Sequence, residues 1–463
     1  MALQADSLDL PDVRVDSPGN PTDSHRPQPK TPMKSKRRRI YPWLVFAIAF
    51  GLLLSDYMSR QVLSAVFPLL KSEWSLSDSH LASLTSIVAL SVGILTLPLS
   101  LIADRFGRVR SLVVMATLWS IATVFCAIAQ NYEQMLGARF LVGVGEAAYG
   151  SVGIALVLGI FRSKLHATLS GTFMAGGSFG SVVGVALGGV IAVQFGWRWA
   201  FVAMAVLGLI LVVAFRLIVN ESRLEEHAVR EDTADSGAGS ARLRPPISSL
   251  FTNPAVLCAY VGGGLQMFTA AVLLAWTPSF FTRFYDMELD DAALAASGIV
   301  LLIGSGMVVC GIITDRLGRL DVMRKWYTAV AYCAISLVCL GVGFSLGTGL
   351  IQILLLCIGA FFSAGSSGPT AAMVANLTHE SIRASAMGSL TVANNLLGLA
   401  LGPFVVGILA DHLGLVQALS LAPLVYIPAI IALIIGRRLH PAGLRRLAAT
   451  VEKTVANHER SSL

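Results

Sequence analysis

Charged residues are scarce in this sequence. Asp, Glu, Lys and Arg make up 13% of its 463 residues, whereas a soluble globular protein carries about 25%. Hydrophobic residues account for 55% of the chain. A water-soluble enzyme of this size is nearly excluded, because too few polar side chains are present to cover its surface.

Signatures of metal, redox and ATP chemistry are also missing. The six cysteines lie within or at the end of apolar runs, without the spacing of a metal site or a disulfide framework. His166, His379 and His412 stand apart at the ends of such runs. No glycine-rich phosphate loop of the P-loop type occurs. We therefore expect no metal, no cofactor and no ATP-driven pumping, which leaves ion gradients as the energy source.

The net charge of +7 does not indicate nucleic-acid binding. The excess Lys and Arg residues lie in the N-terminal tail and in short loops between apolar runs, a distribution that orients membrane proteins. Residues 1–40 are polar, end in a basic cluster and contain no apolar segment that could act as a cleavable signal. We predict a disordered, basic cytoplasmic tail at 1–40 and no nucleic-acid partner.

Twelve apolar runs are each long enough to cross a hydrocarbon core about 30 Å thick. They predict an all-α polytopic membrane protein with twelve transmembrane helices. A polar cytoplasmic loop at 221–253 separates a six-helix bundle at 41–220 from a second at 254–437, and a cytoplasmic tail follows at 438–463. The runs lie at residues 43–67, 81–103, 111–130, 134–161, 165–193, 197–219, 254–281, 291–313, 322–344, 349–375, 381–410 and 413–436.

The loops between the runs predict the orientation of the chain. Basic residues concentrate after the second, fourth, eighth, tenth and twelfth runs, whereas the alternate loops hold few. By the positive-inside rule, both termini and the 221–253 loop face the cytoplasm. We expect a multi-pass protein of the cell (inner) membrane that works as a monomer among membrane lipids.

One loop motif occurs in each half of the chain. Ala103-Asp-Arg-Phe-Gly-Arg108 follows the second run, and Thr314-Asp-Arg-Leu-Gly-Arg319 follows the eighth. Two repeats in the same orientation place a substrate path at their interface, near the middle of the membrane. The motif residues are Asp104, Arg105, Gly107, Arg108, Asp315, Arg316, Gly318 and Arg319.

Ionisable side chains inside the apolar runs are functional candidates, because a charge in the membrane is costly and faces a partner or an aqueous cavity. The first run carries Asp56 and Arg60, whose spacing of four places them on one helix face. The fourth run carries Arg139 and Glu146, two helical turns apart. Two interpretations are open: fixed ion pairs that specify helix packing, or groups that bind and release protons.

The second interpretation assigns a role to each charge. A carboxylate in a region of low dielectric favours its protonated form and a nearby Arg opposes this, so movement of a partner or substrate changes its protonation. Glu146 is the first candidate for proton coupling and Asp56 the second, since Asp56 lies one turn from Arg60. Arg139 stays charged and serves as counter-ion to Glu146 or as anchor for an anionic substrate.

The second half of the chain has few charges inside its apolar runs. It offers amides instead, and Gln266, Asn394 and Asn395 are the candidates for substrate contact. Tyr57 and Tyr149, close in sequence to the charges of the first half, complete the candidate set. A charged half opposite an apolar half suits an amphiphile with a charged head and an apolar body.

The repeated Asp-Arg-x-Gly-Arg loop resembles the loop motif of the major facilitator superfamily, Gly-x-x-x-Asp-Arg-x-Gly-Arg-Arg. Ser100 replaces the first Gly in the first copy, whereas Gly311 keeps it in the second. The resemblance spans about residues 41–437 and implies the major facilitator fold. It also implies that the Asp of the motif meets the positive end of a neighbouring helix and that the Arg residues brace a cytoplasmic gate.

The segments around the buried charges resemble the first and fourth helices of Spinster-like members of this superfamily. They read Asp56-Tyr-Met-Ser-Arg-Gln-Val-Leu63 and Arg139-Phe-Leu-Val-Gly-Val-Gly-Glu-Ala-Ala-Tyr-Gly150. Spinster-like carriers move lysophospholipids or sphingoid phosphates, and the resemblance implies proton coupling through Asp56, Arg139 and Glu146. The anion:cation symporters share part of this pattern.

Glycines recur at every fourth position of the fifth run. Such a seam lets two helices approach closely, and we interpret it as packing. The pattern resembles the antiporter motif of drug exporters in the superfamily, but Ser181 stands in place of the motif's Pro, which weakens that assignment. The glycines are Gly176, Gly180, Gly184 and Gly188.

The sequence therefore predicts a proton-coupled secondary active transporter that works by alternating access and moves an amphiphile such as a lysophospholipid or a sphingolipid-like molecule. Two alternative substrates stay open: a small organic anion, such as an aromatic or sugar acid, and a drug. An enzyme is not expected, because each buried carboxylate has an Arg nearby and the runs carry no cluster of His. A receptor that binds without translocation is a further alternative.

Overall fold

The computed structural model describes residues 36–161, 163–221, 224, 249–319, 321–379 and 382–461. Contacts divide the chain into Met1–Ile40 and Tyr41–Leu463. Only residues 36–40 of the first unit are described, and they are helical. The predicted disorder of the N-terminal tail and most of the 221–253 loop lie outside the described residues.

Within the described residues, twelve helices are long and apolar enough to cross a membrane, which confirms the all-α fold with twelve transmembrane helices predicted from the sequence. The last of them continues as helix to Ser461. The twelve are α1 (Ile40–Trp74), α2 (Asp78–Ala103), α3 (Arg108–Ile128), α4 (Tyr132–Leu158), α5 (Thr168–Phe195), α6 (Trp197–Ile218), α7 (Pro254–Phe284), α8 (Leu289–Gly318), α9 (Arg324–Ser345), α10 (Leu350–Asn376), α11 (Ser385–Leu413) and α12 (Leu415–Ala449).

The helices pack as two halves of six. In the first half α3 packs against α4 and α6, and α4 against α2; in the second half α7 packs against α11 and α12, and α9 against α10. The halves meet along two helix pairs, α2 with α11 and α5 with α8. Phe67 of α1 and Trp276 of α7 also meet across the boundary, with ring centroids 5.5 Å apart. A hydrophobic core therefore continues from one half into the other.

The two ends of the helices are named here by residues that mark them. The motif face holds the loops after α2 and α8, with Gly107 and Gly318. The Asp78 face holds the start of α2 at Asp78 and the end of α11 beyond Asp411.

The glycine stripe of α5 lies against α1, which confirms the packing interpretation. A Cβ atom placed on Gly184 would lie 2.7 Å from the Cα of Met58, and one placed on Gly188 would lie 2.7 Å from a methyl group of Val62. A Cβ at either position would overlap α1, so glycine is required there for the two helices to come this close. The seam fixes α5 directly behind the part of α1 that carries Asp56 and Arg60.

Helices α4 and α10, which occupy the same position in the two halves, are both interrupted. α4 consists of Tyr132–Glu146 and Tyr149–Leu158, and α10 of Leu350–Ser363 and Ser367–Asn376. In addition, α11 contains a π-helical turn at Asn394–Ala400. Interrupted helices at matching positions of two repeats mark the substrate region of transporters, because they expose backbone groups in the middle of the membrane.

Candidate functional site

A buried group of charges lies where α1 meets the break in α4. Arg60 donates from Nε to Oε2 of Glu146 at 3.0 Å, and its Nη2 donates to the same oxygen. The side chain of Arg60 is 19% exposed, whereas that of Glu146 is fully buried. Asp56, one helical turn before Arg60, is 3% exposed and interacts electrostatically with both. The structure thus brings together three of the four predicted charges as one group.

Both carboxyl groups of this site are short of hydrogen-bond donors. Oδ1 of Asp56 and Oε1 of Glu146 are buried, and neither accepts a hydrogen bond from any described residue. A buried carboxylate oxygen without a donor is unfavourable. A proton on either group would relieve this, because a protonated carboxyl donates one hydrogen bond and carries no charge. The geometry is therefore suited to hold a proton.

The hydrogen-bond partners of Arg139 differ from the one that its spacing in α4 predicts, Glu146. It is fully buried and donates to three backbone carbonyls, those of Leu84 at 3.3 Å, Ser59 at 3.2 Å and Arg60 at 3.2 Å. The hydrogen-bonded counter-ion of Glu146 is Arg60, from another helix. Arg139 therefore ties α4 to α1 and α2, because its planar fork reaches carbonyls of both helices at once.

The two tyrosines of the predicted set occupy different environments. The ring centroid of Tyr57 lies 5.4 Å from Cζ of Arg60, close enough for a cation–π contact, and its side chain is half-buried. Tyr149 is fully buried and donates from its hydroxyl to the carbonyl of Ala49 at 2.9 Å. Tyr57 is thus beside the charged group, whereas Tyr149 anchors the second segment of α4 to α1.

Gln266 closes the break in α10. Its Nε2 donates to the carbonyl of Ser363, the last residue of the first segment, and the hydroxyl of Tyr426 donates to the same carbonyl at 3.3 Å. Gln266 is fully buried, and its Oε1 accepts no hydrogen bond from the described residues. This side chain stabilises a helix interruption in the interior of the second half.

The two asparagines sit at the start of the π-helical turn of α11 and face different helices. Asn395 donates from Nδ2 to the carbonyl of Thr391 at 2.9 Å, and its Cβ lies close to Gly93 of α2, across the boundary between the halves. Asn394 lies close to Gly263 of α7. The Oδ1 atoms of both are buried without a donor among the described residues. Asn395 is therefore the amide placed at the interface of the halves.

The two copies of the loop motif adopt different conformations. In the first copy the helix stops, Gly107 takes φ 93°, and α3 begins at Arg108. In the second copy the helix continues through Gly318. Arg108 donates to the carbonyl of Ala155 in the second segment of α4 at 3.3 Å. The side chains of Arg105, Asp315, Arg316 and Arg319 are exposed, and that of Asp104 lies outside the described part of the structure.

One cluster of charges that was not predicted from the sequence joins the halves at the Asp78 face. Arg283 of α7 donates to both carboxylate oxygens of Asp78, at 2.8 Å each, and Lys71 pairs with Asp78 at 2.6 Å. Asp411 of α11 accepts hydrogen bonds from the first backbone N–H groups of α2. These residues lie at span ends, where charge is common in any membrane protein, so their composition alone carried no signal.

Metal binding has no support in the described ranges. No group of three or more His, Cys, Asp or Glu side chains there is close enough to hold a metal ion.

In the described part of the chain, twelve helices able to cross a membrane form two related halves with buried charges at an interrupted helix, an arrangement typical of a membrane transporter. The sequence profile described as Major Facilitator Superfamily matches residues 48–403. The chain belongs to this superfamily.

Relatives and solved structures agree with that assignment. The chain is 27% identical, over 65% of its length and 68% of the relative, to the probable L-galactonate transporter of Escherichia coli K12. It is 21% identical, over 80% of its length and 73% of the relative, to protein spinster homolog 1 of Xenopus tropicalis. A bacterial homolog of the human lysosomal transporter Spinster, solved in an inward-facing, unoccupied conformation, matches with a TM-score of 0.73 at 17% identity and covers 90% of this chain and 99% of that one. The predicted resemblance to Spinster-like members and to anion transporters is confirmed.

Proposed function

We propose that this transporter couples substrate movement to protons through Glu146 and Asp56 and binds an anionic group of its substrate at Arg60. The observation that carries the proposal is the buried Arg60–Glu146 ion pair next to Asp56, whose Oδ1 has no donor among the described residues. Arg139 is engaged by three backbone carbonyls, so two carboxylates share one hydrogen-bonding cation. A proton on one carboxyl group supplies a hydrogen-bond donor that neither Arg provides.

Proton binding and substrate binding are linked through the same ion pair. While Glu146 is ionised, it holds Arg60 through two N–H donors. When Glu146 takes up a proton, this attraction is lost and the guanidinium is free to bind a carboxylate or phosphate in bidentate geometry. Release of the proton on the other side of the membrane restores the pair and displaces the substrate. Proton and anion then move in the same direction, as symport.

A small organic anion is the substrate class that this arrangement favours. The guanidinium of Arg60 is the partly exposed member of the charged group, so it is the part that a substrate can reach. A relative with 27% identity is named a probable L-galactonate transporter. A sugar acid would offer its carboxylate to Arg60 and its hydroxyl groups to an amide such as Asn395. On these grounds we propose the organic anion as the first candidate, ahead of the amphiphile predicted from the sequence.

An amphiphile such as a lysophospholipid or a sphingolipid-like molecule is the second candidate. A relative over 80% of the chain is named protein spinster homolog 1. The charges of the site lie in the first half, whereas the corresponding interruption in the second half is closed by the uncharged Gln266 and Tyr426. A phosphate at Arg60 would leave the acyl chain against the less polar half.

The proposed location is the inner membrane, with the motif face and both termini in the cytoplasm. Exposed guanidinium groups at the motif face support this orientation, because positive charge is retained on the cytoplasmic side. The proposed working form is a monomer, with the substrate, protons and membrane lipids as its partners.

The experiment that tests the proposal is uptake into sealed proteoliposomes that contain the full-length protein. L-Galactonate, a small aromatic carboxylate and a lysophospholipid are supplied as separate labelled probes, with an imposed pH gradient either present or collapsed by a protonophore. We expect gradient-dependent accumulation of a carboxylate and little accumulation of the lysolipid. Accumulation of the lysolipid alone would favour the second candidate, and accumulation that ignores the gradient would overturn proton coupling.

A further inference from the structure

Helices α2 and α11 lie side by side across the boundary between the halves and run in opposite directions. Residue numbers rise along one helix as they fall along the other, so the end of each helix lies level with the start of its neighbour. Three close approaches set this register: Ala82 beside Gly407, Gly93 beside Leu396, and Leu97 beside Gly388.

The two helices also end in the same way. α2 leads into Ala103-Asp-Arg-Phe-Gly107, and α11 leads into Ala410-Asp-His-Leu-Gly414, with the same spacing from Asp to Gly. Gly107 has φ 93° and ψ 139°, and Gly414 has φ 85° and ψ 154°, a backbone conformation that favours glycine. Asp411 therefore occupies, at the Asp78 face, the position that Asp104 of the loop motif occupies at the motif face.

Asp411 binds the first residues of α2 directly. Its Oδ1 accepts the backbone N–H of Asp78 at 2.6 Å, and its Oδ2 accepts the backbone N–H of Ser79 at 3.0 Å. N–H groups in the first turn of a helix have no partner within that helix. The positive end of the helix dipole favours a carboxylate at the same place. One side chain of the second half thus holds a helix start of the first half.

We propose that Asp411 is a latch between the two halves that holds the Asp78 face closed and opens once in each transport cycle. It is the counterpart of the Asp104 loop at the opposite end of the same helix pair. Asp78 strengthens the closed arrangement through its two hydrogen bonds to Arg283 of α7. The inference rests on membership of a superfamily of transporters and not on the substrate or on proton coupling.

The strength of the contact fits a latch that must open repeatedly. Opening the Asp78 face separates α2 from α11 and breaks both hydrogen bonds of Asp411. The side chain of Asp411 is exposed, so water replaces the lost donors. The ion pair between Asp78 and Arg283 of α7 breaks as well, and Lys71 of the first half then keeps Asp78 paired.

A cysteine between the halves can report how often this face opens. Ser86 is buried in α2, four residues after Ala82, and therefore lies on the same helix face toward α11. Ser86→Cys changes one oxygen to sulfur. The rate of maleimide labelling is measured on purified full-length protein in detergent, after subtraction of the rate of the same protein with Ser86 intact, which accounts for the six native cysteines.

In this background, Asp411→Asn is expected to raise the labelling rate about fivefold, since the charge that favours the start of α2 is lost. Asp411→Glu keeps the charge and should raise the rate less. The matched control is Asp291→Asn, which removes the same charge from an exposed position in the first turn of α8 at the same face. Its rate should stay within about twofold of the parent.

An unchanged rate in a folded Asp411→Asn protein would overturn the latch, and so would equal increases in the Asp411 and Asp291 variants. If Asp411→Asn does not give a monodisperse protein, Asp411→Ser replaces it, because serine can still accept an N–H from the start of α2 without the charge. The same increase is expected for it. Since no substrate is transported in this assay, its outcome is independent of the proposed function.

Discussion

The two halves of this transporter are interrupted at matching helices and differ in the charge that lies beside the interruption. In the first half, α4 is interrupted after Glu146, and Thr96 donates to the freed carbonyl of Ala147 at 2.7 Å. In the second half, α10 is interrupted after Ser363, and Gln266 and Tyr426 donate to the freed carbonyl. Neutral donors therefore close both interruptions, and only the first also carries an ionisable group, Glu146.

Under the proposed proton coupling, this difference gives the repeated fold a single place where a proton can act. Neutral hydrogen bonds keep the same strength when the proton gradient changes, whereas a buried carboxylate changes its charge and its partner. The hydrogen bonds of the second half therefore stay the same when a proton binds, whereas the ion pair of the first half changes. Substitutions that remove a charged group of the first half or a neutral donor of the second half test this comparison directly.

The largest effect is expected for Glu146→Gln. The amide keeps the size of the side chain but cannot release a proton or form an ion pair with Arg60. Gradient-driven accumulation in proteoliposomes should fall to the level of empty vesicles, while exchange of labelled for unlabelled substrate persists. Glu133→Gln, at an exposed position in the first turn of the same helix, is the matched control. Undiminished accumulation by Glu146→Gln would remove Glu146 from the coupling role.

A loss of stability is expected for Arg139→Lys. A single ammonium group cannot reach the three carbonyls that the guanidinium joins, so buried acceptors lose a donor. The cost is about 2–3 kcal/mol, measured as a lower thermal midpoint in detergent. Arg198→Lys, at a largely exposed ion pair with Glu73, should change the midpoint little. If both variants lower the thermal midpoint equally, the buried guanidinium of Arg139 is not what holds α4 to α1 and α2.

Gly184→Ala tests whether the seam behind the charged site must be glycine. A Cβ at this position would meet the backbone of Met58 at 2.7 Å, and overpacking of this kind costs about 1–3 kcal/mol. Gly171→Ala in the same helix meets no atom within 4 Å and is the control. We expect a lower thermal midpoint for Gly184→Ala alone. Equal midpoints would mean that α5 can move away from α1 without loss.

The smallest effect is expected for Gln266→Leu. The carbonyl of Ser363 keeps Tyr426 as a donor, and the substitution also removes an Oε1 atom that has no donor among the described residues. These changes oppose each other, so stability should change by less than about 1 kcal/mol. Proton-driven uptake should be retained with a KM within about threefold of wild type, because Gln266 is fully buried. A tenfold higher KM at unchanged stability would instead make Gln266 a substrate contact.

Much of the fold could be predicted because membrane crossing leaves a strong local signal. Each helix needs about 20 apolar residues, and the twelve runs correspond to the twelve helices. Helix ends were less accurate. The first run was predicted at 43–67, whereas α1 covers Ile40–Trp74, because its polar ends stay helical beyond the apolar stretch. Hydropathy detects the apolar core of a helix and not its full length.

Partner choice within the site could not be predicted. Periodicity placed Asp56 with Arg60 and Arg139 with Glu146, since spacings of four and seven share a helix face. The hydrogen-bonded ion pair instead joins Arg60 to Glu146, 86 residues apart. Such contacts depend on how α1 and α4 pack, which no single-helix pattern contains.

The turn that carries Asp411 could have been predicted from the sequence. Ala410-Asp-His-Leu-Gly414 keeps the spacing of the Asp-Arg-x-Gly loops, with His412 in place of the Arg. A search for the motif with its Arg misses this segment, although the Asp and Gly that determine the turn are both present. The match of the backbone at Gly107 and Gly414 makes it evident.

The sequence by itself determined that this chain crosses the membrane twelve times, that it has two related halves, and that its buried charges lie in the first half. Hydrophobic length, loop motifs and the cost of burying charge are local properties, and each can be detected along a single segment. Only the tertiary structure decided that Arg60 pairs with Glu146, that Arg139 is held by backbone carbonyls, and that Asp411 binds the start of α2. These contacts arise where helices distant in the chain pack together, so their energies belong to the assembled halves and to no segment alone.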